Sequence, residues 1–195
     1  MNPSPREAKS LLRQQLRSRR QQVHGSNHAA ASTALCQIIM QSALWESARS
    51  VLAFVHREDE PDIMPLLQLA LDSGKSLLLP RWNEAQARYD VAQVRCRSED
   101  LEPGQFGIAE PLARCQVVEP VNIDLALVPG LAFSPYGERL GRGKGHFDGL
   151  LRGAIKATKM GTAFEEQLLE KIPTEPHDER VDWVAMPTRL LDCRS

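Results

Sequence analysis

The chain has 195 residues, of which 42% are hydrophobic and 25% are charged, and its formal net charge is −1. This composition is typical of a globular protein, and the length suffices for one sizeable core, so we expect a single domain over residues 1–195. A charge so close to neutral gives no general attraction to nucleic acid or to an anionic membrane surface. No apolar run has the length of a bilayer-spanning helix, so we expect neither a membrane nor a nucleic-acid partner.

The cysteines are scattered along the chain, at Cys36, Cys96, Cys115 and Cys193. No two of them are close enough in sequence to form a C-x-x-C site, and such scatter is typical of reduced thiols rather than of a disulfide framework. We therefore expect a cytoplasmic protein, and we expect it to be a monomer.

Apolar periodicity and turn signals divide the chain into alternating helices and strands. Helices are expected over 5–22, from the polar break at 25–27 to about 42, from Asp62 as N-cap to about 74–75, and over 147–157. Strands are expected over 49–55, 76–79, 89–94, 123–128 and 159–164, and residues 99–111 are expected to form a loop. Short strands buried on both faces and alternating with helices predict an α/β sheet that is largely parallel. The pattern does not specify the strand order.

The most informative segment follows the expected strand at 123–128. Residues 139–145 read R-L-G-R-G-K-G, so that three glycines alternate with two cations after a third cation. Glycines lack the Cβ atom that would keep an anion from the backbone N–H groups, and a helix starting after Gly145 would add partial positive charge. The segment predicts a phosphate site at the carboxyl end of a strand, and the alternative is a flexible surface turn. Walker A and dinucleotide patterns do not fit, because Glu138 and His146 stand where those patterns need a small residue.

Residues 133–148 read F-S-P-Y-G-E-R-L-G-R-G-K-G-H-F-D. They resemble the signature of the 5-formyltetrahydrofolate cyclo-ligase family, the methenyltetrahydrofolate synthetases, which is roughly F-x-x-x-G-x-R-L-G-[RY]-G-[KG]-G-[YF]-[YF]-D. Residues 163–182 resemble the family's A-F-x-x-Q-x-x-x-x-I-P-x-E-x-x-D-x-x-[VL]-D, and residues 106–111 resemble its [FW]-G-I-x-E-P segment. The matches lie in family order and span nearly the whole chain. They imply a three-layer, doubly wound α/β fold with helices on both faces of the sheet.

The resemblance also implies a reaction, in which 5-formyltetrahydrofolate and MgATP become 5,10-methenyltetrahydrofolate, ADP and phosphate. The formyl oxygen leaves poorly, and transfer of the γ-phosphoryl group to it creates a good leaving group for attack by N10. Such a reaction needs no protein nucleophile, since its catalysis is mostly positioning and charge stabilisation. ATP is then a co-substrate and Mg²⁺ the cofactor.

The resemblance assigns roles to particular residues. The catalytic residues are Arg142 and Lys144. The ATP-binding residues are Lys9, Arg13, Arg139, Leu140, Gly141, Arg142, Gly143, Lys144, Gly145, His146 and Phe147. The substrate-binding residues are Val55, Glu60, Phe106 and His146, and the magnesium ligands are Asp148 and Asp178. Lys9 and Arg13 are four residues apart, which puts both cations on one helix face.

Some residues keep a structural interpretation. Arg17, Arg19 and Arg20 are interpreted as a solvated helix face, and Asp182 as a strand-entry residue held by hydrogen bonds. Phe106 is expected either to pack against the pterin or to plug the core under a loop.

Two departures from the family pattern leave other functions open. Ile63 replaces a usual threonine, and His146 replaces a usual tyrosine. One alternative is a paralogous ATP-dependent ligase or kinase that acts on another acceptor. The second is a non-catalytic binding module whose basic first helix contacts RNA or a partner protein.

Overall fold

The computed structural model describes residues 3–20, 28–104 and 107–194, without the side chains of residues 18–20. Its helices are α1 (Pro5–Arg20), α2 (His28–Met40), α3 (Ala43–Ser47), α4 (Met64–Asp72), α5 (Arg97–Asp100) and α6 (His146–Gly153). Its strands are β1 (Ser50–Leu52), β2 (Ser76–Asn83), β3 (Arg88–Val94), β4 (Leu101–Pro103), β5 (Ala109–Pro111), β6 (Val117–Val118), β7 (Leu125–Val128), β8 (Ala132–Phe133), β9 (Arg139–Leu140), β10 (Thr158–Thr162), β11 (Trp183–Met186) and β12 (Arg189–Asp192). None of the described helices is both long and apolar enough to cross a bilayer.

Eight strands form the central sheet, in the order β12-β11-β10-β7-β1-β2-β3-β6. The five strands from β11 to β2 run parallel to one another. β12, β3 and β6 each pair antiparallel with a neighbour at the two sides of this parallel centre. The prediction of a largely parallel α/β sheet is confirmed, and the structure supplies the strand order that the sequence left open.

The side chains of the central strands alternate between two cores, one on each face of the sheet. Val51 and Leu77 face the core that α2, α3 and α4 cover. Leu52 and Leu78 face the opposite core, where α6 packs. Each central strand is therefore apolar on both sides, which explains why these strands read as continuous hydrophobic runs. The three layers expected from the family resemblance are present.

A carboxylate fixes the point where the two most central strands begin. One oxygen of Asp124 accepts hydrogen bonds from the backbone N–H groups of Arg49 and Ser50, both at 2.9 Å, and from the Ser50 hydroxyl at 3.0 Å. Asp124 immediately precedes β7 and Ser50 opens β1, so one side chain sets the register between neighbouring parallel strands.

Several segments differ from the expectation. The N-cap of α4 is Ile63 instead of Asp62, and α6 ends at Gly153 instead of 157. β1 ends at Leu52 instead of 55. Residues 99–111, expected as a loop, contain α5 and the antiparallel pair of β4 and β5. β2 continues through Pro80 to Asn83 beside β3, beyond the end of its pairing with β1. A proline is tolerated there because the register gives that part of β2 a strand neighbour on one side only.

One aromatic ring fills the space between two backbone segments of the core. Phe133 is fully buried, and its ring lies against Gly130 and Gly161. A Cβ atom at Gly161 would lie 2.5 Å from a ring carbon, and one at Gly130 would lie 2.6 Å from another. Both glycines are therefore needed for close packing rather than for an unusual backbone conformation.

We expect Gly161→Ala to lower the free energy of unfolding by about 1–3 kcal/mol, because the added methyl group overpacks a closed core. Urea denaturation followed by circular dichroism measures this change. Gly149→Ala is the matched control, since the nearest atom to its Cβ is 3.7 Å away on α6. A midpoint for Gly161→Ala equal to that of the wild type would contradict the packing role of Gly161.

Candidate active site

A cleft of about 750 Å³ opens where the parallel strands end. Val55 follows β1, Pro80 lies in β2 and Pro129 follows β7, and all three line it. Helix α1 and the loop between β9 and α6 form further parts of its wall. Open α/β sheets bind ligands at this edge, outside the carboxyl ends of the strands.

The glycine-rich loop takes a backbone path that requires glycine at two positions. Gly143 has φ +102° and Gly145 has φ +70°, a region that other residues rarely adopt. A Cβ atom at Gly143 would also lie 3.3 Å from the guanidinium of Arg13, whose Nε donates to the carbonyl of Gly141 at 2.9 Å. The loop thus rests on α1 and then enters α6 at His146, where a helix was expected.

A second hollow of about 520 Å³ adjoins the cleft and is basic. Arg13 and Arg17 of α1 line it together with Arg142 and Lys144 of the loop. Burial lowers the pKa of Arg13; the charge of Asp178 partly opposes this, and Arg17 lowers it further. Two guanidinium groups that repel one another beside a glycine loop are a suitable environment for an anion.

Lys9 is a buried cation held by two carboxylates from the C-terminal region. Its ammonium donates to Glu175 Oε2 at 2.8 Å and to Asp178 Oδ2 at 2.5 Å. Burial raises the pKa of Asp178, but hydrogen bonds from Lys9 and from the Glu175 backbone outweigh it, so the pKa lies below the ordinary value. The hydrogen bond from Lys9 likewise lowers the pKa of Glu175. Both carboxylates are therefore charged at neutral pH.

Arg139 lies deeper in the cleft and is also neutralised. It donates to the carbonyl of Pro129 at 2.9 Å and to Asp148 Oδ1 at 2.6 Å. Its guanidinium lies 5.8 Å from the centre of the Phe147 ring, a cation–π contact. The pair places the carboxylate of Asp148, in the first turn of α6, beside the end of β7.

Arg142 contacts the loop that follows β1. Its Nη2 donates to Asp59 Oδ1 at 2.5 Å, and its Nε and Nη2 donate to Glu60 Oε1 at 3.1 and 2.8 Å. The other oxygen of Glu60 accepts from the backbone N–H of Arg57 at 3.0 Å. Burial lowers the pKa of Arg142, but the two carboxylates outweigh it and the pKa is raised.

His146 belongs to an aromatic cluster on another wall. Its ring lies edge-on to Trp82 at 4.8 Å and to Tyr89 at 5.9 Å between ring centres. Burial, together with the charge of Lys144, lowers the pKa of His146 below its ordinary value. The imidazole is therefore neutral at pH 7 and can both donate and accept a hydrogen bond.

The structure brings together most of the residues that the sequence singled out. The cleft is lined by Lys9, Arg13, Val55, Glu60, Arg139, Gly141, Arg142, Gly143, Lys144, Gly145, His146, Phe147, Asp148 and Asp178. Leu140 is different, because its side chain is fully buried in a core with Leu131 and Ile172 instead of facing the cleft. Phe106 lies outside the described residues. Asp182 accepts from the backbone N–H of Lys159 at 2.7 Å, in agreement with its expected structural role.

Sequence reasoning missed several residues of the cleft wall. The residues with polar side chains that had no assigned role are Arg6, Arg17, Arg57, Tyr89, Glu110, Glu175 and His177. Arg17 continues the four-residue spacing of Lys9 and Arg13, which places it on the same helix face. We nevertheless interpreted it as part of a solvated face. Glu110 is buried, accepts from the Trp82 backbone N–H at 2.8 Å, and lies in the F-G-I-A-E-P segment that the resemblance had located.

Within the described residues, one group of three potential metal ligands has its ligand atoms within 4.8 Å of one another, namely Glu175, His177 and Asp178. Asp148, the other expected magnesium ligand, is not part of this group. Hydrogen bonds engage Oδ1 of Asp148 and Oδ2 of Asp178, and each carboxylate retains a second oxygen. Oxygen donors of this kind suit a hard divalent cation.

Comparison with known proteins identifies the family. Residues 5–187 match the model of the 5-formyltetrahydrofolate cyclo-ligase family. The chain belongs to this family. A cyclo-ligase from Mycolicibacterium smegmatis is 34% identical over 95% of this chain and 96% of its own. The mouse cyclo-ligase is 26% identical over 91% and 92% of the two chains.

A solved structure of the same family has the same fold. The Aquifex aeolicus 5,10-methenyltetrahydrofolate synthetase superposes with a TM-score of 0.86 at 28% identity, covering 96% of this chain and 93% of that one. The family and the α/β architecture expected from the cyclo-ligase motifs are therefore both confirmed.

The Lys9 ion pairs generate a stability prediction. We expect Lys9→Gln to lower the unfolding midpoint in urea at pH 7, because Glu175 and Asp178 lose their cation. The folded pKa values of both carboxylates are depressed, so the stabilisation is present above their unfolded values, about 4, and is lost as pH falls through the folded values.

The difference in unfolding midpoint between Lys9→Gln and the wild type should therefore narrow as the pH falls below about 4. Lys156→Gln is the control, because it removes one cation from an exposed position. A difference that stays constant over this pH range would refute the pairing as its source.

Proposed function

We propose that this chain catalyses the ATP-dependent ring closure of 5-formyltetrahydrofolate to 5,10-methenyltetrahydrofolate, with release of ADP and phosphate. The observation that carries the proposal is the meeting of Lys9 and Arg13 from α1 with the loop cations at one cleft, in a chain of the cyclo-ligase family. A glycine loop with converging cations suits a triphosphate, and the neighbouring wall of Val55, Tyr89 and the neutral His146 suits a planar heterocycle.

The chemistry needs charge stabilisation and alignment more than a nucleophilic side chain. The formyl oxygen attacks the γ-phosphorus of ATP, and ADP leaves. N10 then attacks the activated formyl carbon and loses its proton to solvent, and phosphate departs with the former formyl oxygen. In the proposed complex, Arg139, Arg142 and Lys144 offset the negative charge on the transferred phosphoryl group.

Magnesium binding belongs to the same proposal. Asp148 and Asp178 would hold the ion, with Glu175 beside Asp178. Each of the two aspartates has a carboxylate oxygen to offer in addition to the one bound by Arg139 or Lys9. Mg²⁺ is commonly bound by one or two carboxylates together with phosphate oxygens and water. When bound, it neutralises phosphate charge.

The folate end of the cleft is proposed to be formed by Val55, Glu60, Phe106 and His146. A carboxylate such as Glu60 can accept from the amino group and the adjacent ring N–H of a pterin. His146 stands where the family usually has a tyrosine, and its neutral imidazole retains the capacity to donate one hydrogen bond.

We also propose a cytoplasmic monomer as the working unit. The four cysteines are free thiols, which supports a reducing compartment.

The decisive assay follows near-ultraviolet absorbance of 5-formyltetrahydrofolate mixed with the protein, because the conjugated methenyl product absorbs where the substrate does not. We expect growth of the product band with MgATP, and none without ATP or with EDTA. Lys144→Ala should lower kcat about 10²–10³-fold, the usual cost of losing one charge-stabilising donor, whereas Lys156→Ala should not.

A well-folded protein that binds MgATP but forms no methenyl product would point instead to the paralogous ligase or kinase with another acceptor. Binding of RNA that falls steeply with salt and does not need Mg²⁺ would favour the binding module.

Arg17 provides a test of the basic hollow. We expect Arg17→Gln to raise KM for ATP several-fold and to leave KM for the folate unchanged, because the residue lies beside Arg13 and Lys144. Lys156→Gln controls for the lost net charge in steady-state kinetics. An increase confined to the folate KM would place the anionic tail of the folate, rather than the nucleotide, in the hollow.

A further inference from the structure

The most unusual contact in the cleft joins two residues that are proposed to bind different substrates. Arg142 is proposed to bind the phosphates of ATP, and Glu60 is proposed to bind the pterin. In the structure, however, Nη2 and Nε of Arg142 donate hydrogen bonds to Oε1 of Glu60 at 2.8 and 3.1 Å. They are 82 residues apart in the chain. Neither can fully engage its ligand while this pair is closed.

The pair occupies the hydrogen-bonding capacity that a pterin would need. One oxygen of Glu60 accepts from Arg142 and the other accepts from the backbone of Arg57. The Glu60 side chain is only 6% exposed, so water cannot take over when the guanidinium leaves. Opening the pair is therefore costly unless ring N–H donors replace Arg142 at the same carboxylate.

Asp59 is the second carboxylate that accepts a hydrogen bond from the Arg142 guanidinium, with 2.5 Å between Nη2 of Arg142 and Oδ1 of Asp59. Its environment differs from that of Glu60. Its side chain is 25% exposed, and that of Arg142 is 30% exposed. Both can therefore be solvated when they part. Asp59 adds to the attraction that holds the Arg142 guanidinium against the loop after β1, and Asp59 is not among the residues that line the cleft.

We propose that Asp59 is a positioning residue that holds Arg142 on the folate side of the cleft, and that release of Arg142 couples the binding of ATP to that of the folate. The inference rests on the proposed function. ATP favours the released state because the Arg142 guanidinium can then contact its phosphates. The folate favours the same state because the Glu60 carboxylate can then accept hydrogen bonds from its pterin. The first ligand to bind must supply the free energy that opens the pair, and the second ligand need not.

The coupling is reciprocal, so each ligand must strengthen the other by the same factor. We expect this factor to be about five-fold or more in the wild type, the lower end of typical coupling between sites. Asp59→Asn keeps the shape of the side chain but removes its charge, which weakens the hydrogen bond to Arg142. The variant should bind each ligand alone more tightly and should show a smaller coupling factor.

Isothermal titration calorimetry measures the four dissociation constants, with the β,γ-imido analogue of ATP plus Mg²⁺ as one ligand and 5-formyltetrahydrofolate as the other. Each ligand is titrated alone and in the presence of a saturating amount of its partner, for the wild type, Asp59→Asn and Glu58→Gln. Glu58 is the exposed neighbour in the same loop, so its variant should match the wild type. Asp59→Ser replaces Asp59→Asn if circular dichroism shows the latter to be unfolded.

Independent binding of the two ligands to the wild type would overturn the inference and leave the proposed function standing. A wild-type coupling factor that persists in the Asp59 variant would refute the role of Asp59. Folded wild-type protein that binds neither ligand would instead count against the proposed function.

Discussion

A site for a triphosphate must concentrate positive charge in a partly buried place, and buried like charges destabilise a fold unless each is matched. This protein matches them with its own carboxylates. Lys9 is held by Glu175 and Asp178, Arg139 by Asp148, and Arg142 by Asp59 and Glu60. The backbone segments that form the cleft bring these cations and carboxylates within hydrogen-bonding distance of one another.

Three of the matching acids, Asp148, Asp178 and Glu60, are also the groups that the proposed reaction would use for magnesium and for the pterin. Each of these three carboxylates therefore has two partners, one inside the free protein and one in a complex. Such an arrangement keeps the empty cleft stable and makes ligand binding an exchange of partners rather than the filling of a bare basic pocket. The net binding free energy is smaller than the number of cations suggests, since every new contact with a ligand replaces an existing contact within the protein.

The sequence predicted the layout of the fold well because apolar runs and turn residues are local signals. It located the α/β alternation, the glycine loop and the helix after Gly145. The family motifs identified most of the cleft residues, but not how they pair, because pairing depends on contacts such as that of Lys9 with Asp178 across 169 positions. Leu140 was included because it lies inside the motif, although strand alternation turns its side chain into the core. Tyr89 reaches the cleft from β3, far from the glycine-rich motif, and no local signal marked it.

The contact between Lys9 and the Glu175–Asp178 segment joins the first helix to one of the last turns of the chain. During synthesis on a ribosome, α1 emerges long before its carboxylate partners do. Until residues 175–178 leave the exit tunnel, the ammonium of Lys9 has to remain in water, and the nucleotide side of the cleft cannot be completed. The nucleotide side of the cleft is therefore among the last parts of the molecule to form during synthesis.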